Sequence, residues 1–144
     1  MNCPACFFEL SELNVVGIKV DVCAGGCAGI WFDAFELQRI GENYQCTEEL
    51  IAIQRGENFQ VNFTLKRSCP RCPEIKLMRH FYSPNRTVEV DECPNCGGFW
   101  VDAGELSRIQ EEKSEKAATE MSQKFGISPQ MVRYFHQAAK TPLP

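Results

Sequence analysis

A chain of 144 residues with a net charge of −4 is no generic polyanion binder, and its start, Met1-Asn2-Cys3-Pro4, is no secretory signal. No apolar run approaches the roughly 20 residues that a membrane-spanning helix needs, so a cytosolic (cytoplasmic) protein is expected. Nine cysteines in so short a chain need a chemical reason, and where thiols stay reduced that reason is metal rather than disulfides.

Residues 1–40 open with Cys3-Pro4-Ala5-Cys6. The stretch from Phe7 to Leu13 is apolar but irregular. After Gly17, Ile18, Val20 and Val22 alternate with Lys19 and Asp21, which predicts a strand running into a second pair, Cys23 and Cys27. Asp33 with Glu36 three residues later reads as a helix N-cap and its capping-box partner, and the helix should stop at Gly41. Residues 41–68 form a linker with structure of its own. A short helix is expected from Glu48 to Arg55, then a strand in which Phe59, Val61, Phe63 and Leu65 alternate with polar residues. Such a linker is no Gly/Ser tether, so the flanking modules should be held in a defined relation.

Residues 69–110 repeat the plan. Cys69-Pro70-Arg71-Cys72 is followed by two predicted strands, Lys76 to Tyr82 and Arg86 to Asp91, around a turn at Ser83-Pro84-Asn85. Cys93-Pro94-Asn95-Cys96-Gly97-Gly98 then forms a tight knuckle whose thiolates point at one metal while its backbone N–H groups point at the sulfurs. Trp100 is placed to cover the metal, and Asp102 with Glu105 starts another helix. Val20–Ile40 aligns with Val90–Ile109 at one inserted residue, with twelve of twenty positions identical. The chain is therefore an internal duplication of a four-cysteine unit.

Residues 111–144 read as a helical tail. The helix from Asp102 runs to Phe125, with Glu112/Lys116 and Glu120/Lys124 as i,i+4 pairs and Gly126 as its C-cap. Ser128-Pro129 starts another helix, which runs to about Ala139. The Met121–Phe135 segment resembles the core of a helix-turn-helix, and its second helix would offer Gln130, Arg133 and Gln137 to a DNA groove.

Two cysteine pairs around a hairpin are the plan of a zinc ribbon. Zinc takes four thiolates tetrahedrally in a closed structural site with no open position for substrate. The expected ligands of two zinc ions per chain are Cys3, Cys6, Cys23 and Cys27, then Cys69, Cys72, Cys93 and Cys96. Cys46 is left over as a structural thiol. Iron could take the same donors.

The second unit, with Cys69, Cys72, Cys93, Cys96, Gly97, Gly98, Trp100, Asp102, Gly104, Glu105 and Leu106, resembles the bacterial zinc-ribbon family named after transcription factor IIB. The first unit is a diverged copy that keeps Gly29, Trp31, Asp33, Glu36 and Leu37, with Ala28 and Phe35 where the family has glycines. The resemblance implies zinc binding and a ribbon fold over roughly 80 residues, as two modules. The expected fold is a small metal-stapled α+β protein: two zinc ribbons, each followed by a helix, plus a C-terminal helical hairpin.

Residues 66–86 carry six basic groups against Glu74. That concentration makes Lys66, Arg67, Arg71, Lys76, Arg79 and Arg86, with Phe81, Tyr82 and the distant Arg133, a candidate nucleic-acid face. With two histidines and no nucleophile or carboxylate pair in a recognisable setting, enzyme chemistry has no motif to stand on. The leading expectation is a non-enzymatic zinc module that docks a protein partner in transcription or its regulation. The alternative is a nucleic-acid-binding regulator.

Overall fold

The computed structural model describes residues 1–54, 61, 64–82, 87–128 and 130–131. Its elements in chain order are β1 (Ser11–Val15), β2 (Ile18–Val22), β3 (Ile30–Phe32), α1 (Glu36–Glu42), α2 (Tyr44–Gln54), β4 (Met78–Phe81), β5 (Glu89–Glu92), β6 (Phe99–Val101) and α3 (Glu105–Phe125). By internal contacts the chain divides into Met1–Ser107, which holds both cysteine quartets, and Arg108–Pro144. None of the described helices is long and apolar enough to cross a membrane.

The strands of the first unit form one antiparallel sheet in the order β1-β2-β3-β6-β5-β4. Each repeat supplies a three-stranded half, and the halves join where β3 meets β6, with Ile30 opposite Val101, Trp31 opposite Trp100 and Phe32 opposite Phe99. A strand in the middle of a covered sheet is buried on both faces and loses the apolar/polar alternation. Accordingly Ile30, Trp31, Phe32, Trp100 and Val101 are all buried. β2 keeps the alternation expected of it, with Ile18, Val20 and Val22 inward and Lys19 exposed.

β1 is a strand that the sequence did not announce. It pairs with β2 through Val16 and Gly17, at φ +50° and +81°, a two-residue turn with both central residues left-handed. The usual turn pair is Asn-Gly. Here Val16 hides the turn, and Asn14 lies outside it, accepting the Gly17 N–H on Oδ1 at 3.0 Å.

The linker helix α2 starts at Tyr44, four residues before its expected start. It braces both halves: Cys46 Sγ donates to the Val15 carbonyl at 3.3 Å, and Gln54 Nε2 donates to the carbonyls of Val101 and Asp102 at 3.3 and 3.2 Å. The strand expected after it falls mostly outside the described residues, and Val61 and Thr64–Lys66 are not in a strand.

Both helices that follow a knuckle begin three residues later than the sequence suggested. Glu36 and Glu105 do reach back, accepting the backbone N–H groups of Asp33 and Asp102 at 2.8 and 3.0 Å. The aspartate side chains, however, turn away from the helix to accept the indole N–H groups of Trp31 and Trp100, both at 3.1 Å. The first half of a capping box forms without the second.

In the second unit α3 ends as expected, with Gly126 at φ +69° and its N–H on the Ser122 carbonyl at 2.9 Å. The expected i,i+4 ion pairs do not close. Neither carboxylate oxygen of Glu112 has a hydrogen-bond partner, and Lys124 lies 5.4 Å from the centre of the Phe125 ring. Ser128 Oγ accepts the Met131 N–H at 3.2 Å, the N-cap contact expected of the next helix. The rest of the expected helix, with Arg133 and Gln137, lies outside the described residues, as do Arg86 and the turn expected at Ser83-Pro84-Asn85.

Candidate metal centres

Within each repeat the two cysteine pairs converge. The Sγ atoms of Cys3, Cys6, Cys23 and Cys27 lie within 4.8 Å of one another, as do those of Cys69, Cys72, Cys93 and Cys96. Individual separations are 3.6 Å for Cys3–Cys27, 3.4 Å for Cys6–Cys23 and 3.7 Å for Cys69–Cys96. A disulfide needs about 2.05 Å. A regular tetrahedron of thiolates at the usual zinc–sulfur distance of about 2.3 Å has edges of about 3.8 Å. The quartets thus fit two zinc ions, and all nine thiols are free. Cys46 belongs to neither quartet.

The knuckles supply the second requirement, donors for sulfur charge. The N–H groups of Ala5 and Cys6 point at Cys3 Sγ (3.3 and 3.4 Å), that of Cys72 at Cys69 Sγ (3.2 Å), and that of Cys96 at Cys93 Sγ (3.4 Å). The Asn95 side chain adds a donor to Cys72 Sγ at 3.3 Å. The five-residue Cys23–Cys27 knuckle folds differently, as its extra residue requires. Gly26 and Ala28 both donate to the Cys23 carbonyl, at 3.3 and 3.0 Å.

Packed thiols without a cation cannot all ionise. The hydrogen bond between Cys3 and Cys27 holds Cys27 down to about 6 and pushes Cys3 far up, while burial pushes Cys23 up to about 12. A zinc ion resolves this competition by deprotonating its ligands outright. Bound there, it would act as a cross-link between the two knuckles of each repeat.

The tryptophans do not simply cover their own metal. Cys3, Cys23, Cys27, Cys69, Cys93, Trp31 and Trp100 share one buried cluster, and each ring lies against a glycine of the opposite repeat. A Cβ on Gly29 would fall 2.8 Å from Trp100 Cε2, and one on Gly98 would fall 2.8 Å from Trp31 Cη2. Close backbone approach explains the glycine at both positions.

The structure gives three arginines of the basic segment carboxylate partners within the protein. Arg67 is 4% exposed, and its Nη1 donates to Asp91 at 2.9 Å and to Asp102 at 2.8 Å. Arg79 pairs with Asp91 at 3.1 Å. Arg71 reaches out of its knuckle to Asp33 in the first repeat, with Nη2 to Oδ2 at 2.6 Å, and lies 3.8 Å from Asp21. Three of the candidate phosphate ligands are therefore committed to carboxylates of the protein itself. Lys66 is exposed, and Lys76 donates to Ser68 Oγ at 3.0 Å. Phe81 is half-exposed, while Tyr82 packs edge-on against Phe99.

Sequence reasoning missed the acids that receive these arginines. Asp21 and Asp91 recur at equivalent places, each inside a strand two residues before a cysteine. A charge repeated within a strand was the available signal.

It also missed a groove of about 410 Å³ between the first knuckles of the two repeats, lined by Met1, Asn2, Cys3, Pro4, Phe7, Ser68, Cys69, Pro70 and Pro73. Phe7 stands 74% exposed beside it, on a residue at φ +68°.

The family model described as transcription factor zinc-finger, the TFIIB-type zinc ribbon, matches residues 2–43 and again 68–112. Neither the curated proteins nor the solved structures hold a match. The two matched segments cover more than half of the chain and contain the cysteine quartets, tryptophans and helix starts described above, so the protein belongs to the TFIIB-type zinc-ribbon family, in two tandem copies.

Proposed function

We propose that this protein is a non-enzymatic docking module, and that the groove between its two first knuckles receives an apolar segment of a protein partner. The observation that carries this reading is Phe7. A large aromatic side chain is held 74% exposed on a left-handed residue at the lip of a groove whose other walls include Met1, Pro4, Pro70 and Pro73. Left-handed backbone costs a non-glycine residue about 1 kcal/mol or more, and an exposed apolar patch marks a contact surface. Met1, 40% exposed, extends the patch. Cys3 and Cys69 in the groove wall make it rigid once metal is bound.

The setting in transcription rests on the family's description. The internal pairing of Arg67, Arg71 and Arg79 weighs against nucleic acid as the ligand of this face.

The test uses Phe7→Asn, because asparagine tolerates the left-handed conformation and keeps the knuckle intact. Zinc-loaded wild type and variant serve as baits in cross-linking and affinity purification. A protein recovered by wild type and lost in Phe7→Asn is the expected result. Equal recovery by both would remove the groove as the docking site, and no recovery by either would sink the docking reading.

A further inference from the structure

Three links join the metal quartets to each other. The first is the reciprocal contact of Trp31 with Gly98 and of Trp100 with Gly29, in which each ring occupies the space a Cβ would need. The second is the backbone ladder of β3 and β6, which places Trp31 opposite Trp100 at the centre of the sheet. The third is Arg71, held between Cys69 and Cys72, which donates to Asp33 at 2.6 Å, and Asp33 in turn accepts the Trp31 indole N–H at 3.1 Å.

A unit of about 40 residues buries too little to hold its own core, and a structural zinc supplies much of its folding free energy. Metal in one quartet therefore orders the tryptophan and the strand against which the other knuckle packs. Without that metal, the partner knuckle loses the wall on its glycine and half of its sheet.

We propose that the two quartets load zinc as one cooperative unit, each occupied site raising the affinity of the other through the Trp31–Gly98 and Trp100–Gly29 contacts. Coupling of this kind is reciprocal, so neither site is the master. The proposal does not depend on the docking reading, and its test needs no partner.

The full chain, stripped of metal under reducing conditions, is titrated with zinc chloride, and its species are counted by native mass spectrometry. Two independent and equal sites leave half of the chains with one zinc at half-saturation, and independent unequal sites leave more. Only favourable coupling pushes that fraction below half. With a coupling factor on the order of 100-fold, about a tenth of the chains carry a single zinc. A one-zinc fraction of half or more, with the affinity of the second site unchanged in the variant below, overturns the proposal.

A second measurement uses Cys27→Ser, which leaves the Cys69, Cys72, Cys93 and Cys96 quartet intact. Chelator competition should find the zinc affinity of that remaining site lowered tenfold or more. An unchanged affinity would overturn the proposal.

Discussion

Phe35 sits at φ +71°, where the second repeat has Gly104 at φ +87°, and Ala28 sits at φ +61°, where it has Gly97 at φ +74°. The first repeat has lost both glycines and kept both backbone conformations. A non-glycine residue pays about 1–2 kcal/mol in the left-handed region, against which glycine's greater freedom in the unfolded chain costs about 0.4–1 kcal/mol. Phe35 is 75% exposed, so its ring adds little burial. Phe35→Gly should therefore stabilise the zinc-loaded protein by about 0.5–1 kcal/mol in chemical unfolding, with no loss of zinc. A destabilised variant would mean that the ring makes contacts its exposure does not suggest. The departures from glycine are plain in the sequence. That the backbone stayed left-handed is not, because a Cα trace is inherited from neighbours that pack around it.

The start of α3 shows how a local signal can be right in its residues and wrong in its roles. Asp102 and Glu105 were legible as a capping pair, and Glu105 does take the Asp102 N–H. The Asp102 carboxylate goes instead to Trp100 and Arg67, partners 2 and 35 residues away in sequence. Only the folded sheet brings Arg67 there.

Burial, and then the Asp102 charge, raise Glu105 to about 8. Its unfolded value is lower, near 4.5, so the native state holds a proton that the unfolded chain releases. The stability from this protonated carboxyl is complete below about pH 4.5 and is lost progressively as pH rises toward 8. Glu105→Gln keeps an oxygen for the Asp102 N–H and removes the titration. The melting temperature of the variant, relative to wild type, should climb between pH 5.5 and 8, with a gain at pH 8 on the order of 1 kcal/mol or more. A difference independent of pH would show that Glu105 is ionised in the native protein. Elsewhere at this scale β2, the β4–β5 hairpin and the end of α3 were readable from alternation and caps. β1 was not, because Val16 stands at the turn position that announces a hairpin.

At the scale of the molecule, charge counted along the chain and charge placed in space give different pictures. Residues 66–86 hold six basic groups, yet Arg67, Arg71 and Arg79 face Asp91, Asp102, Asp33 and Asp21. Phosphate neutralisation needs cations free to release counterions. We therefore expect no DNA or RNA binding tighter than about 10 µM at 0.15 M salt by fluorescence anisotropy. Micromolar or tighter binding, lost in a Lys76→Glu/Arg79→Glu variant, would reverse this expectation.

The two quartets and the duplication were legible because cysteine spacing is a local property. The joining of the repeats was not. A three-residue strand such as Ile30-Trp31-Phe32 carries no period that says what it pairs with, and the glycine that receives its tryptophan lies in the other copy.

That seam resembles the contact between two identical subunits, except that here both halves belong to one polypeptide. In a true symmetric pair every substitution appears twice, and the groove on the axis must look the same from either end. Covalent fusion removes that constraint. One flank of the groove carries Phe7 and the opposite flank, at the corresponding place, carries Pro73. A segment docked across it would therefore have a head and a tail, and would bind one per chain in one direction.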